Sequence, residues 1–292
     1  MRLLIAANKN KLQVNKMEKD TLTGWEFHKR THFDEIVVNY DKARPEYPDK
    51  LFKDVFEYAG AKKSMKALEI GAGTGKAALP FLNAGYDITA VEMGANMSEF
   101  LLEKFRVYKN FNVINSTFED ALLEDGIYDL IYAASAFHWV DQKIGFPKVL
   151  RLLKNNGTFA LFRYNTIPSV GEELREEIQA VYEKYYSSYY TAKKRPDIKS
   201  REEFAQPSEI LHNYGFENMG NYGFRDVQLK FYDKEMNFSA DEYIALCDTL
   251  ADHRGLPEEN KSALYAGIKE AIEKHGGRHR ENWVFQLYIG RK

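Results

Sequence analysis

At 292 residues with 44% hydrophobic content, the chain is long enough to bury one large core and an appended lobe. A formal net charge of −2 gives no bulk attraction to phosphate backbones, and the single cysteine, Cys247, cannot form an internal disulfide. No apolar run approaches membrane-spanning length, so these features exclude a disulfide-stapled scaffold and a membrane-spanning protein and lead us to expect a cytoplasmic one.

In chain order, Met1–Ala7 is too short for a signal-peptide core and Asn8–Lys19 is polar, with a second methionine at Met17. Residues 1–24 are therefore expected to be a disordered or appended N-terminus, with one domain over 25–292. Glu26–Val38 reads as a helix leading into the segment Tyr40–Pro48. Pro48 opens the next helix, where Leu51, Phe52, Val55, Phe56 and Ala59 recur at helical spacing and Gly60 occupies the cap position.

The chemistry begins at Ala67-Leu-Glu-Ile-Gly-Ala-Gly-Thr-Gly75. Ala67–Ile70 is a short buried strand, and glycines 71, 73 and 75, with Ala72 between, allow a sharp turn and a close approach of backbone to a ligand. Lys76–Ala84 then reads as a helix. A dinucleotide fingerprint requires glycine where Lys76 stands; a P-loop requires glycine at Ile70 and Ser or Thr at Ala77. What remains is a nucleoside site with an acid, Glu92, about 20 residues beyond the first glycine to accept from ribose hydroxyls.

These residues resemble the first motif of the class I S-adenosylmethionine-dependent methyltransferases, an acid followed by Gly-x-Gly-x-Gly, here Glu69 to Gly75. Glu92 closing the second strand, Phe118-Glu119 after the third (Phe111–Asn115) and Tyr128–Tyr132 as the fourth continue the resemblance. Leu150–Lys154, Gly157 and Phe159–Phe162 are similar to the family's helix, turn and fifth strand, with Asn155-Asn156-Gly157 replacing the usual Pro-Gly-Gly. Tyr40-x-x-x-Arg44-Pro-x-Tyr-Pro48 together with His138-Trp139-x-Asp141 is most similar to type 11 members that include trans-aconitate methyltransferase-like enzymes. The resemblance implies an α/β, doubly wound, mostly parallel seven-stranded Rossmann-like sheet with the last strand antiparallel. It also implies S-adenosylmethionine as cofactor, S-adenosylhomocysteine as product, and ligands on the rim at the carboxyl ends of the strands.

On that resemblance, Glu92 holds the ribose, Glu119 the adenine amine, and Phe118 or Met93 the ring face. Glu69 suits the methionine ammonium, and Arg44 either grips its carboxylate bidentately or bonds a loop carbonyl. Tyr40, Gly71, Ala72, Gly73, Gly75 and Ala134 complete the expected cofactor contacts. His138 and Trp139 are expected at the acceptor, His138 either as a proton acceptor or as an orienting group.

Beyond the fifth strand, a lid insertion is expected over about 165–220, with a helical pattern over Glu172–Tyr190 crowded with tyrosines. Tyr186 is the candidate for contact with substrate, although aromatics at helical spacing are more often core. Helices are expected at Ala240–His253, carrying Cys247 as core packing, and at Glu258–His275; strands are expected at Phe224–Phe231 and Trp283–Ile289. His28/His32 and His275/His279 have ligand-compatible spacing but no accompanying zincin pattern, so all four are read as surface residues and no metal is expected. The functional expectation is methyl transfer to a small-molecule acceptor, a carboxylate or a hydroxyl, by a monomer or homodimer without nucleic-acid or membrane partners. An RNA or protein methyltransferase would need Lys193–Arg195 and Arg278–Arg280 to form one basic face, and a non-catalytic S-adenosylmethionine-binding module is the third reading.

Overall fold

A computed structural model describes residues 33–167, 173–190 and 216–292. The expectations for residues 1–24, His28, His32 and Lys193–Arg195 lie outside the described residues.

Two short helices, α1 (Val37–Ala43) and α2 (Asp49–Ala59), precede the sheet. The alternation then runs β1 (Lys66–Ile70), α3 (Ala78–Asn83), β2 (Asp87–Glu92), α4 (Ala95–Lys104), β3 (Phe111–Asn115), β4 (Tyr128–Ala134), α5 (Gln142–Leu152) and β5 (Leu153–Ile167). The C-terminal part adds α6 (Glu173–Tyr182), β6 (Arg225–Ser239), α7 (Ala240–Cys247), α8 (Ala251–Arg254), α9 (Glu258–Lys274) and β7 (Arg278–Arg291). The seven strands form one sheet in the order β3-β2-β1-β4-β5-β7-β6. Strands β1 to β5 pair in parallel, and β7 inserts antiparallel to both β5 and β6. This is the architecture expected from the sequence.

Period-2 alternation divides the sheet's residues between two cores. Leu68, Ile70, Ile131, Phe159 and Leu161 pack on one face with Phe146 and Val149 of α5. Ala67, Leu130, Tyr132, Ala160 and Phe162 face the other way, onto Leu51, Phe52 and Val55 of α2 and Phe81 of α3. Glu69 shares this second face and stands directly opposite Tyr132 in the β1–β4 register. A layer of α6 and α9, joined by Leu174, Ile178, Leu264, Ile268 and Ile272, continues the second core and packs with α7.

Several boundaries depart from the sequence reading for local reasons. Tyr40 lies inside α1 rather than in a loop, and that helix ends at Arg44, whose extended backbone (ψ 141°) is what a following proline imposes. The helix expected over Ala240–His253 breaks at Asp248–Leu250, where the Thr249 carbonyl leaves the helical ladder to accept from Arg44. The long tyrosine helix becomes a π turn over Glu183–Ser187. His279 is not a surface residue: it is 8% exposed, with its ring 4.5 Å from that of Tyr243. Cys247 is buried, as expected of core packing.

The glycines of the first motif have different reasons to be glycine, although all adopt positive φ. A Cβ on Gly75 would lie 2.3 Å from Phe105 Cε2, whereas one on Gly73 would meet nothing nearer than 3.9 Å, at Met97 Sδ and Tyr40 Cε1. Gly75→Ala should therefore cost roughly 2–4 kcal/mol of stability through overpacking plus left-handed strain, and Gly73→Ala only about 1–2 kcal/mol through strain alone. Denaturant unfolding checks this, and equal costs at the two positions would contradict it.

Candidate functional site

The carboxyl ends of β1 to β5 open into one cavity of about 410 Å³. Parallel strands bring their C-terminal loops to a single rim, so segments distant in sequence share its wall: Gly71–Thr74, Met93-Gly94, Ser116–Glu119, Ser135-Ala136 and Arg163–Asn165. At the front, Phe33 bridges the mouth edge-on, 5.6 Å from the Tyr40 ring and 6.0 Å from the Trp139 ring between centroids. That front segment is docked by Asp34, which caps α4 from outside by accepting from Met97 N at 2.9 Å and Asn96 N at 3.3 Å.

Glu92 ends β2 nearly buried, at 8% exposure. Its two carboxylate oxygens accept from Gly73 N at 2.8 Å and Gly94 N at 2.9 Å, tying the glycine loop to the loop after β2. Burial raises its pKa, and these amide bonds oppose the rise. Glu69, 1% exposed, accepts from Tyr132 Oη at 3.0 Å. Burial is the larger effect there and pushes its pKa up to about 8, against the tyrosine bond.

The other end of the cavity is positive. Arg44 donates from Nη1 to Tyr164 Oη at 2.7 Å and from Nη2 to Thr249 O at 2.5 Å, with its guanidinium 5.0 Å from the Tyr40 ring centroid. Only its buried Nε lacks a partner among the described residues. Both terminal nitrogens hold the protein's own oxygens, one of them the loop carbonyl considered as the alternative, and each keeps a second N–H. Arg163 donates to Asn165 Oδ1 at 3.1 Å. Desolvation, then the charges of Arg163 and Arg44, drive the pKa of His138 down to about 3, so its imidazole is neutral near neutral pH.

Of the residues singled out in the sequence, Tyr40, Arg44, Glu69, Gly71, Ala72, Gly73, Glu92, Met93, Phe118, Glu119, Ala134, His138 and Trp139 all line this cavity. Gly75 does not; a side chain there would run into Phe105 and Leu101 instead. Tyr186 does not either, because its hydroxyl is spent behind the wall, donating to Asp252 Oδ2 at 2.6 Å while Tyr190 donates to Asp252 O at 2.6 Å. Residues missed in the sequence include Phe33, Asp34, Arg163, Asn165 and Asp252, all in the wall. Applying the strand-end rule to β5 would have found Arg163 and Asn165, but no local pattern marks Asp252, which arrives through helix packing. Among the described residues no His, Cys, Asp or Glu groups of three or more come together as metal ligands, and no helix is long and apolar enough to cross a membrane.

Comparison with known proteins gives this geometry a family. Residues 68–161 match the model of a methyltransferase domain. An uncharacterized methyltransferase of Schizosaccharomyces pombe is 24% identical over 242 residues, 81% of this chain and 85% of the relative. A probable S-adenosylmethionine-dependent methyltransferase of Saccharomyces cerevisiae is 27% identical over 203 residues, 67% of this chain and 66% of the relative. In fold, the chain is similar to a candidate type II methyltransferase from Anaeromyxobacter dehalogenans, with a TM-score of 0.57 at 20% identity, covering 85% of this chain and 97% of that one. The acid-glycine motif at the end of β1, the strand order and the matched domain agree in supporting a class I S-adenosylmethionine-dependent methyltransferase.

Proposed function

We propose that the chain methylates a carboxylate of a small-molecule acceptor bound beside the cofactor in this cavity. The choice of acceptor is supported by the positive end of the cavity, where Arg44 and Arg163 share the wall with His138 and burial together with their charges lowers its pKa. A hydroxyl or ammonium acceptor must lose a proton, and an imidazole with a pKa of about 3 is too weak a base to take it. A carboxylate arrives deprotonated, and the positive charges of Arg44 and Arg163 acting on His138 favour an anion there.

The residues present suit the cofactor. Glu92 keeps lone pairs beyond its two amide bonds for ribose hydroxyls, and Glu69 faces the cavity with a single neutral hydrogen-bond partner, an environment that an ammonium would complete. The open space at Gly73 allows close backbone approach, and the Arg44 guanidinium, whose terminal nitrogens each keep a second N–H, would answer the methionine carboxylate. Phe118 and Glu119 would receive the adenine. When bound, S-adenosylmethionine would supply an electrophilic methyl group for a new C–O bond to the acceptor, the C–S electron pair remaining on sulfur. The protein's part is alignment and exclusion of water, through Phe33 and Trp139 at the mouth. His138 then orients the acceptor by hydrogen bonding.

Incubation of a metabolite extract with methyl-labelled donor should yield labelled products that lose the label on mild base hydrolysis, as esters do. Labelled products stable to base would replace the carboxylate reading, and cofactor binding without any labelled product would favour a non-catalytic module. His138→Ala should leave turnover of a carboxylate acceptor within about tenfold of wild type. Loss of turnover by orders of magnitude with unchanged S-adenosylhomocysteine affinity would restore His138 as a base.

Glu92→Gln should weaken S-adenosylhomocysteine binding by roughly 2 kcal/mol, through loss of charged hydrogen bonds, as read by calorimetry. Binding should also be pH-dependent. Because Glu69 is largely protonated at neutral pH in the free protein and an ammonium favours its carboxylate, association releases a proton below about pH 8. Affinity should rise from pH 6 and level off above about pH 8, with proton release visible as a buffer-dependent heat; a flat profile would remove Glu69 from the ammonium site.

A further inference from the structure

The loop carrying Phe118 and Glu119 is held by a buried cation that the chemistry above does not use. Lys148, on α5, is 8% exposed, and its Nζ donates to three backbone carbonyls: Phe118 O at 2.7 Å, Glu119 O at 3.1 Å and Ala121 O at 2.7 Å. The same ammonium lies 5.1 Å from the centroid of the Phe118 ring. Burial lowers its pKa, the sign of a charge kept from water. Packing alone would not select this arrangement, since an apolar side chain on this face of α5 would avoid the desolvation cost.

The position of Lys148 on the helix supplies the reason. Asp141 caps α5, its side chain accepting from Lys143 N at 3.0 Å, and Asp141's own amide donates to Glu119 Oε1 at 3.3 Å. Lys148 lies seven residues further on, two turns along the same face. The cap therefore fixes the Glu119 carboxylate while Lys148 fixes the main chain that carries it. We infer that Lys148 is a positioning residue for adenine recognition, acting through the backbone of residues 118–121 to hold Glu119 and Phe118 in register with the base. The inference rests on the reading of Glu119 as acceptor of the adenine amine.

The test is the ratio of affinities for S-adenosylhomocysteine and its inosine counterpart, which carries a 6-oxo group in place of the amine. Wild-type protein should prefer the adenine ligand by about tenfold or more, since a hydrogen bond to a charged acceptor is lost in the other. Lys148→Met should collapse that preference to within about threefold, and Lys148→Gln, which can reach fewer carbonyls, should fall between. The ratio is taken within one protein sample, so a general loss of stability does not move it; where Lys148→Met does not fold, Lys148→Gln reads the same quantity. Adding Glu119→Gln to Lys148→Met should then change the ratio no further. If wild type shows no preference, the Glu119 reading fails and the role of Lys148 with it. If wild type discriminates and the Lys148 variants discriminate equally, Lys148 alone is overturned.

Discussion

Everything at the cavity is referenced to one buried carboxylate. Glu92 accepts from Gly73 N and Gly94 N with separate oxygens, so the loop after β1 and the loop after β2 share one anchor. A carboxylate so nearly excluded from water is costly to bury, and the two amide bonds offset that cost only if both loops keep their shape. The glycine loop, the start of α4 and the capping contact of Asp34 thus form one mechanical unit. The parallel sheet supplies the rim, and Glu92 makes the loops on it rigid enough to recognise a ligand.

Two charge environments meet within this frame. At the β1 side, Glu69 sits opposite Tyr132 because strand register puts them there, and burial holds it near the point of ionisation at neutral pH. At the β5 side, burial, aided by the charges of Arg163 and Arg44, keeps His138 neutral. Arg44 also joins the two halves of the wall, since it spans from α1 to Tyr164 on β5 and to the break between α7 and α8 at Thr249.

How much of this is legible in the sequence depends on the range of the interactions involved. The strand-glycine-helix signal at Ala67–Gly75 is local, and with Glu92, Phe118-Glu119 and the later strands it carries the resemblance that implies a seven-stranded, mostly parallel sheet and much of the wall. It misleads about Gly75, because the motif is identical whether a glycine faces a ligand or, as here, Phe105. Tyr186 and Asp252 escape a sequence reading for a related reason. Helical periodicity marks a buried face without saying what lies behind it, and the pairing of those two residues depends on how α6 and its π turn meet α8, 66 residues apart in sequence. The same limit applies to His279, whose spacing from His275 resembles a helix but which lies in β7.

The guanidinium pair around His138 also bears on release of the product. If the acceptor is the carboxylate proposed above, its ester would be neutral beside the same two guanidinium groups, so methylation would itself remove the attraction that retained the acceptor. Departure would then need no separate trigger, and unreactive acids of similar shape would obstruct the cavity more effectively than the accumulated ester.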